Sequence, residues 1–203
     1  MPASNPAVIA YKADVYRLLS ACYYQPEDAF FEEAVYTQLA TALKQCAPDL
    51  APLAEQLDEA ARRDGVETLL LDYSRLFLGP FEIPAKPYGS IYLEGEDVVM
   101  GDSTINAKSY YQAADFEIAD DFREVPDHVA VELEFLYLLS FRQSHSAKDA
   151  SEKDWGKLEQ QFLTEHLGRW AGPFTEKIGK HAGTDFYRLL GELTQAFITR
   201  QKG

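Results

Sequence analysis

The sequence predicts an all-α fold: a single globular helical domain of about eight to ten helices that covers residues 1–203. Apolar side chains recur at helical spacing through most of the chain, beginning with residues 7–24. Strand patterns are scarce, and only residues 90–93 and 98–100 are candidates for a brief pair. One long interruption, a loop rich in proline, glycine and aromatic residues, is predicted at about 79–102.

Helix boundaries are predicted from proline, glycine and capping residues. Pro26 is followed by two acidic residues and opens a second helix, because the helix dipole favours acids in the first turn. Asp64 is predicted to cap the fourth helix and Gly79 to end it, while Asp102 caps the helix after the loop. The predicted helices cover residues 7–24, 26–45, 49–63, 64–78, 103–115, 126–142, 155–171, 174–181 and 185–200.

The charge balance restricts the class of partner. The formal net charge is −14, from 33 acidic and 19 basic residues. Binding to nucleic acid by phosphate neutralisation is therefore disfavoured. An acidic chain attracts basic partners, including basic peptides. The alternative is that the acidic balance serves solubility alone.

Cellular location is predicted from hydropathy and cysteine usage. No stretch approaches the roughly 18 apolar residues of a membrane span, so the chain is not predicted to be an integral membrane protein. Its N-terminus lacks a basic region followed by an apolar run, so we expect no secretory signal. Cys22 and Cys46 lie in helical stretches and are interpreted as reduced thiols. Together these features predict a cytoplasmic protein.

The loop at about 79–102 is the most informative segment. Pro80, Pro84 and Pro87 each remove a backbone donor and exclude a helix interior. A loop of this length inside a compact domain is usually a binding loop or a lid. The alternative is that part of it, above all Leu76 and Phe77 at its start, anchors the loop to the core. Its aromatic side chains are Phe77, Phe81, Tyr88 and Tyr92.

The second informative cluster is residues 124–139, an acidic start followed by an apolar helix that should be central and buried. Glu132 and Glu134 are unusual there, because a buried carboxylate is costly unless it is paired. Glu132 lies one helical turn after His128, so a contact between the two is expected. Asp127 and His128 either stabilise the helix start and core, or form a pocket that recognises a polar or basic ligand group.

Motifs for catalysis are missing from the sequence. No metalloprotease, nucleophile-elbow, phosphate-loop or dinucleotide-binding motif occurs, and the four histidines are far apart. We therefore predict a protein that is not an enzyme and holds no metal or cofactor. The alternative is a small enzyme, a hydrolase or a nucleotide-binding protein, that uses Asp127 and His128.

Several motifs, in this order and spacing, resemble the TorD/DmsD family, with the DmsD-like branch favoured. They are RLFLGP at 75–80, PYGSIYL at 87–93, GDST at 101–104, E-x-P-D-H with E-L-E-F-L at 124–136, and FYRLLGELTQAF at 186–197. Tryptophans common in the DmsD branch are replaced here by Phe81, Tyr88 and Tyr92.

The resemblance implies an all-helical cytoplasmic chaperone. Its partner would be the twin-arginine leader peptide on the catalytic subunit of a molybdenum-cofactor oxidoreductase. It would assist cofactor insertion and delay export until the client is folded. The leader-binding positions it implies are Leu76, Phe77, Gly79, Pro80, Pro87, Tyr88, Gly89 and Ser90 in the loop, and Glu124, Asp127 and His128 in the helix motif.

The leader has a basic region followed by an apolar region, which suggests two parts of a binding site. We expect the aromatic loop residues, including Phe81 and Tyr92, to line an apolar groove. Asp127 and Glu124 would accept the arginines through charge-assisted hydrogen bonds. The acidic run at 94–97 either joins them or is a solvated turn. Within the family, the alternative is a chaperone that mainly contacts the folded client.

Two further expectations follow from the family. Helical chaperones of this type exchange elements between protomers, so we expect a monomer or a domain-swapped homodimer, with a hinge at 116–125. Some members are reported to bind guanine nucleotide, although no phosphate loop occurs in this sequence.

Overall fold

The computed structural model describes residues 5–79, 82–95, 98–117, 124–145 and 153–202. Within these ranges the chain forms ten α-helices and no strand, which confirms the all-α prediction. The helices are α1 (Pro6–Cys22), α2 (Asp28–Glu32), α3 (Val35–Cys46), α4 (Ala51–Tyr73), α5 (Gly89–Leu93), α6 (Asp102–Ala113), α7 (Val129–His145), α8 (Trp155–Phe162), α9 (Gly168–His181) and α10 (Asp185–Lys202). Two π-helical turns, Ser74–Leu78 and Leu163–Leu167, extend α4 and precede α9.

The helix α7 is central, as its apolar sequence predicts. It packs against α1 on one side and against α8 on another. Leu133, Phe135 and Leu136 are fully buried on it. The helices α3 and α4 lie beyond α1, and α10 packs against both α4 and α9. The loop before α5 and the start of α7 are therefore held against a rigid helical body.

Most helix boundaries lie within a few residues of the predicted ones, but the positions of two helix breaks differ from the prediction. The predicted second helix, 26–45, is divided into α2 and α3 because Ala34 adopts a left-handed conformation with φ 53°. The predicted break at 172–173 is wrong: α9 continues through Pro173. A proline removes one backbone donor, and the buried face of α9, which includes Trp170, holds the helix together. The predicted boundary near residue 64 is confirmed by Gly65, whose φ of 72° interrupts α4.

The loop at about 79–102 contains a helix that the sequence does not signal. Residues 90–93 belong to α5, so the predicted strand there is wrong, and residues 99–100 form a bend. Among the described residues the single β-type pairing is an isolated bridge between Tyr88 and His128. Pro80, Phe81 and residues 96–97 lie outside the described residues, as do positions 118–123 of the predicted hinge.

Candidate functional site

The loop and the start of α7 meet through their backbones. The N–H of Gly89 donates to the carbonyl of Asp127 at 2.9 Å, and the N–H of Val129 donates to the carbonyl of Pro87 at 2.9 Å. These bonds flank the bridge between Tyr88 and His128. The two segments that sequence motifs singled out are thus neighbours in the fold, and each fixes the backbone of the other.

Asp127 connects the two segments through its side chain. Its Oδ2 accepts a 2.7 Å hydrogen bond from the backbone N–H of Ser90, in the first turn of α5. Asp127 is fully buried. In the described part of the chain its other oxygen, Oδ1, has no hydrogen-bond partner, and neither does the hydroxyl of Ser90. In this conformation Asp127 therefore holds α5 in place and is not presented at the surface to a ligand.

The helix α7 begins at Val129 and not at Pro126, which corrects the predicted start. The Nδ1 atom of His128 accepts a 3.1 Å hydrogen bond from the N–H of Ala130, so His128 occupies the capping position. The N–H of Val129 is used by the carbonyl of Pro87. The first two backbone N–H groups of α7 therefore already have acceptors, and residues 126–127 form a turn that precedes the helix.

Glu132 lies beneath the loop and is fully buried. Its two carboxylate oxygens accept hydrogen bonds from His166 at 2.8 Å and from the indole N–H of Trp170 at 3.1 Å. The predicted side-chain contact between Glu132 and His128 is not formed. Instead, Nδ1 of His128 accepts a hydrogen bond from the backbone of α7. Burial raises the pKa of Glu132. The pKa of His166 is also raised, because the attraction of Glu132 outweighs the effect of burial.

Gly89 is required by this arrangement. A Cβ atom at this position would lie 2.9 Å from Nε1 of Trp170 and 3.3 Å from Oε1 of Glu132. Any side chain would therefore press into the paired Glu132 and Trp170 or lift α5 away from them. A glycine lets the loop backbone approach the buried pair closely.

His128 lies between two tyrosine rings. The ring of Tyr24 stacks on it at a centroid distance of 6.3 Å, and the ring of Tyr88 meets it edge-on at 5.5 Å. His128 is only 3% exposed. Burial lowers its pKa to about 4, so its ring is neutral at pH 7.

A carboxylate accompanies each of these tyrosines. The hydroxyl of Tyr88 donates to Oε2 of Glu124 at 3.4 Å, and the hydroxyl of Tyr24 donates to Oε1 of Glu134 at 2.9 Å. Burial and the neighbouring Glu124 raise the pKa of Tyr88 to about 12. All four residues are half-buried, and Glu124 is close enough to Tyr24 to help raise its pKa. We name Tyr24, Tyr88, Glu124 and Glu134 the tyrosine–glutamate surface.

Other predicted site residues are placed differently. Leu76 and Phe77 are buried in the core. The ring of Phe77 packs edge-on against the rings of Tyr23 and Tyr187, at centroid distances of 6.2 and 5.6 Å. In this conformation they anchor the start of the loop. Gly79 adopts φ 43°, and a Cβ there would lie 2.5 Å from the carbonyl oxygen of Glu82. Both features explain a glycine at this turn.

Tyr92 and Glu94 face away from the tyrosine–glutamate surface. The ring of Tyr92 stacks on Trp170 at 5.7 Å, so it faces α9 instead of α7. Glu94 accepts hydrogen bonds from the backbone N–H groups of Asp102 and Ser103, at 3.0 and 2.7 Å, and thus caps α6. The described part of the acidic run at 94–97 therefore supports a helix start.

Tyr24 and Glu134 were not identified as site residues from the sequence. Tyr24 follows α1, and Glu134 lies in α7, so only the packing of α1 on α7 brings them together. The available signal was the presence of Glu134 in an otherwise apolar helix, since a carboxylate there needs a partner.

Comparison with known proteins identifies the family. A model of the nitrate reductase delta subunit family matches residues 20–176. The chain belongs to this family. Its relatives include the Tat proofreading chaperone DmsD of Salmonella typhimurium, 30% identical over 154 residues, which are 76% of this chain and 68% of the relative. The chaperone protein TorD of Shewanella oneidensis is 28% identical over 213 residues, 98% of this chain and 92% of the relative.

These relatives confirm the TorD/DmsD resemblance, and they are named as chaperones, so the protein is a chaperone and not an enzyme. A crystal structure of a redox enzyme maturation protein from Archaeoglobus fulgidus has the same fold. It matches with a TM-score of 0.55 and 19% identity, over 92% of this chain and 93% of the other. Among the described helices, none combines the length and the apolar composition of a membrane span.

Proposed function

We propose that this chaperone acts in the cytoplasm and binds the twin-arginine leader of a molybdenum-cofactor oxidoreductase, on its catalytic subunit. It assists insertion of the cofactor and delays export until the client is folded. The names of the relatives support the leader as ligand, because several are Tat proofreading chaperones. The structural observation that carries the proposal is the tyrosine–glutamate surface.

The tyrosine–glutamate surface has the chemistry that an arginine side chain requires. A guanidinium group stacks on aromatic faces and donates in a planar fork to carboxylates. Tyr24 and Tyr88 supply the rings, and Glu134 and Glu124 supply the carboxylates. Each carboxylate accepts one tyrosine hydroxyl, and a carboxylate has lone pairs for further donors. Two pairs of this kind fit two neighbouring arginines.

The neutral ring of His128 favours the same ligand. It lies between the two tyrosines and would repel arginines if it were protonated. Burial lowers its pKa to about 4, so at pH 7 the surface keeps its negative character. The net charge of −14 adds long-range attraction for a basic peptide.

Titration calorimetry tests this proposal. One peptide carries two consecutive arginines followed by an apolar stretch, and a matched peptide carries two lysines instead. We expect saturable binding of the arginine peptide and weaker binding of the lysine peptide, because lysine lacks the planar fork. Absence of heat with the arginine peptide, together with absence of competition against a labelled copy, contradicts the proposal.

The geometry gives little support to the alternative of a small enzyme. Asp127 and His128 are both buried, and each accepts a hydrogen bond from a backbone N–H. Neither is presented to a substrate as an acid or a base in this conformation. We propose that binding requires no metal, nucleotide or other cofactor.

The positions of the proposed site residues bear on the oligomeric state. All four members of the tyrosine–glutamate surface come from one chain, so we propose that a monomer binds the leader. A domain-swapped homodimer with its hinge at 116–125 would retain the site only if the swap keeps α1 against α7. Sedimentation with and without the leader peptide distinguishes the two states.

A further inference from the structure

The outward side of α7 is apolar in the second half of the helix. Tyr137 and Leu138 lie four and three residues before Phe141, so the three side chains share one side of the helix. Tyr137 and Leu138 are half-buried, and Phe141 is 43% exposed. The opposite side of α7 packs in the core, where Leu136 and Leu139 are fully buried. Packing inside the fold therefore does not require apolar residues on the outward side. We name Tyr137, Leu138 and Phe141 the α7 stripe.

The α7 stripe is a continuous surface. The ring centroids of Tyr137 and Phe141 are 5.8 Å apart, and the ring of His145, at the end of the helix, lies 4.3 Å from that of Phe141. The distance along the helix axis from Glu134 to Phe141 is about 10 Å, at about 1.5 Å per residue. Contiguous apolar surface that is open to solvent is a mark of an interaction site, whereas single exposed apolar residues are not.

The α7 stripe begins one helical turn after the tyrosine–glutamate surface. Glu134 precedes Tyr137 by three residues and Leu138 by four, so it lies on the same side of α7. The hydroxyls of Tyr24 and Ser20 donate to Oε1 of Glu134 at 2.9 and 3.3 Å, which holds this carboxylate beside the end of α1. A ligand whose basic groups bind at Glu134 therefore meets the α7 stripe next.

The charge changes sign along this side of α7. The carboxylates of Glu124 and Glu134 belong to the first end, whereas Arg142 lies one helical turn after Leu138. The guanidinium of Arg142 lies over the ring of Trp155, 4.9 Å from its centre. The arginines of a leader are thus attracted to the first end and disfavoured at the second. This order of charges gives a bound leader a direction.

The sequence predicts Tyr92 as part of the apolar groove, but in this conformation Tyr92 lies away from the arginine site. Tyr88 faces His128, whereas Tyr92 faces Trp170, so the two tyrosines lie on different sides of α5. A leader bound at Tyr88 would have to pass α5 to reach Tyr92. The α7 stripe requires no such path, because it continues directly from Glu134.

We propose that the α7 stripe binds the apolar region that follows the two arginines of the leader. This inference rests on the proposed function, and it adds where the second part of the leader lies and in which direction it runs. The arginines bind Glu124 and Glu134, and the apolar region then runs along α7 towards Phe141. About two helical turns of the leader, or about three extended residues, cover the stripe.

Titration with two peptides tests the proposal. Both carry two consecutive arginines, which are followed by leucines in one peptide and by serines in the other. Wild type should bind the leucine peptide about tenfold more tightly, and Leu138→Gln/Phe141→Gln should reduce this preference to within about threefold. The control Leu71→Gln/Ile105→Gln changes two exposed apolar residues on α4 and α6 and should keep the full preference.

The serine peptide separates this inference from leader binding itself. It should bind Leu138→Gln/Phe141→Gln and wild type equally, because the tyrosine–glutamate surface is unchanged, and equal binding shows that the variant is folded. The inference alone is overturned if wild type binds both peptides with no preference, if Leu138→Gln/Phe141→Gln keeps the full preference, or if the control loses as much. If wild type binds neither peptide, the proposed function fails and this inference fails with it.

Photo-cross-linking locates the apolar region in the wild-type chain and does not depend on a variant. A photoreactive leucine analogue in the leucine peptide should cross-link to residues 137–142 of α7. Cross-links confined to residues 82–92 or to α9 would overturn the proposal. Cross-links that avoid α7, together with loss of self-association in Leu138→Gln/Phe141→Gln by sedimentation, would also overturn it and assign the stripe to a second copy of the chain.

Discussion

The carboxylate of Asp127 accepts a 2.7 Å hydrogen bond from the backbone N–H of Ser90, and this contact ties the start of α7 to the short helix α5. Asp127 is fully buried. Its burial is explained by a positioning role: Asp127 fixes Ser90, and through the adjoining backbone it fixes Tyr88 on the tyrosine–glutamate surface.

This role separates two substitutions at Asp127. Asparagine keeps an oxygen that can accept from Ser90, so Asp127→Asn should bind the leader peptide within about threefold of wild type. Alanine removes the acceptor, so Asp127→Ala should lose about 1–2 kcal/mol of unfolding free energy and bind the leader more weakly. Hydrogen exchange at residues 88–91 should accelerate only in Asp127→Ala. If both variants lose leader binding to the same extent, Asp127 contacts the ligand directly.

Gly89 offers a test of the close approach between the loop and α9. Gly89→Ala places a methyl group 2.9 Å from Trp170 Nε1, and we expect it to destabilise the fold by about 1–3 kcal/mol in urea unfolding. Gly179→Ala, in the same protein, is the matched control, since nothing lies within 4 Å of its Cβ position. It should be neutral or stabilise α9 by about 0.5–1 kcal/mol. Equal stability of the two variants would contradict the packing described here.

His128 should make stability depend on pH. Burial lowers its pKa from 6.5 to about 4 in the folded chain. A depressed pKa means that the unfolded chain binds the proton more readily, so this contribution is fully present above about pH 6.5 and is lost as pH falls towards 4. The difference between the two pKa values corresponds to on the order of 3 kcal/mol of unfolding free energy. The stability difference between wild type and His128→Gln, measured by urea unfolding from pH 7.5 to 4.5, should shift in favour of the variant as pH falls. A difference that does not change with pH would show that His128 is not buried as a neutral ring.

The global fold could be predicted from the sequence because helical periodicity is a local property. The central position of α7 follows from its apolar residues on nearly every side. Gly79 ends the π-helical turn that extends α4, as the sequence indicates. The five-residue helix α5 could not be predicted, because a helix so short has little stability of its own and depends on Asp127. The partners of Glu132 likewise lie 34 and 38 residues away, beyond the reach of helical spacing.

The candidate site could be predicted only in part, because some of its contacts join residues that are far apart in the sequence. The loop and the Asp127–His128 motif meet as expected, and Glu124 and Tyr88 are partly exposed beside each other. Tyr24 and Glu134 are 110 residues apart in sequence and meet only because α1 packs on α7. Sequence spacing gives no information on such a contact.

The central claim is that the carboxylates of the tyrosine–glutamate surface bind the leader's arginines. Its most direct test is the dissociation constant of the twin-arginine peptide for wild type, for Glu124→Gln/Glu134→Gln, and for the exposed control pair Glu33→Gln/Glu67→Gln. Both variants change the net charge equally, so long-range attraction is matched. We predict that Glu124→Gln/Glu134→Gln binds about tenfold or more weakly than the control, which should stay within about threefold of wild type. Equal affinity of the two variants would contradict this account.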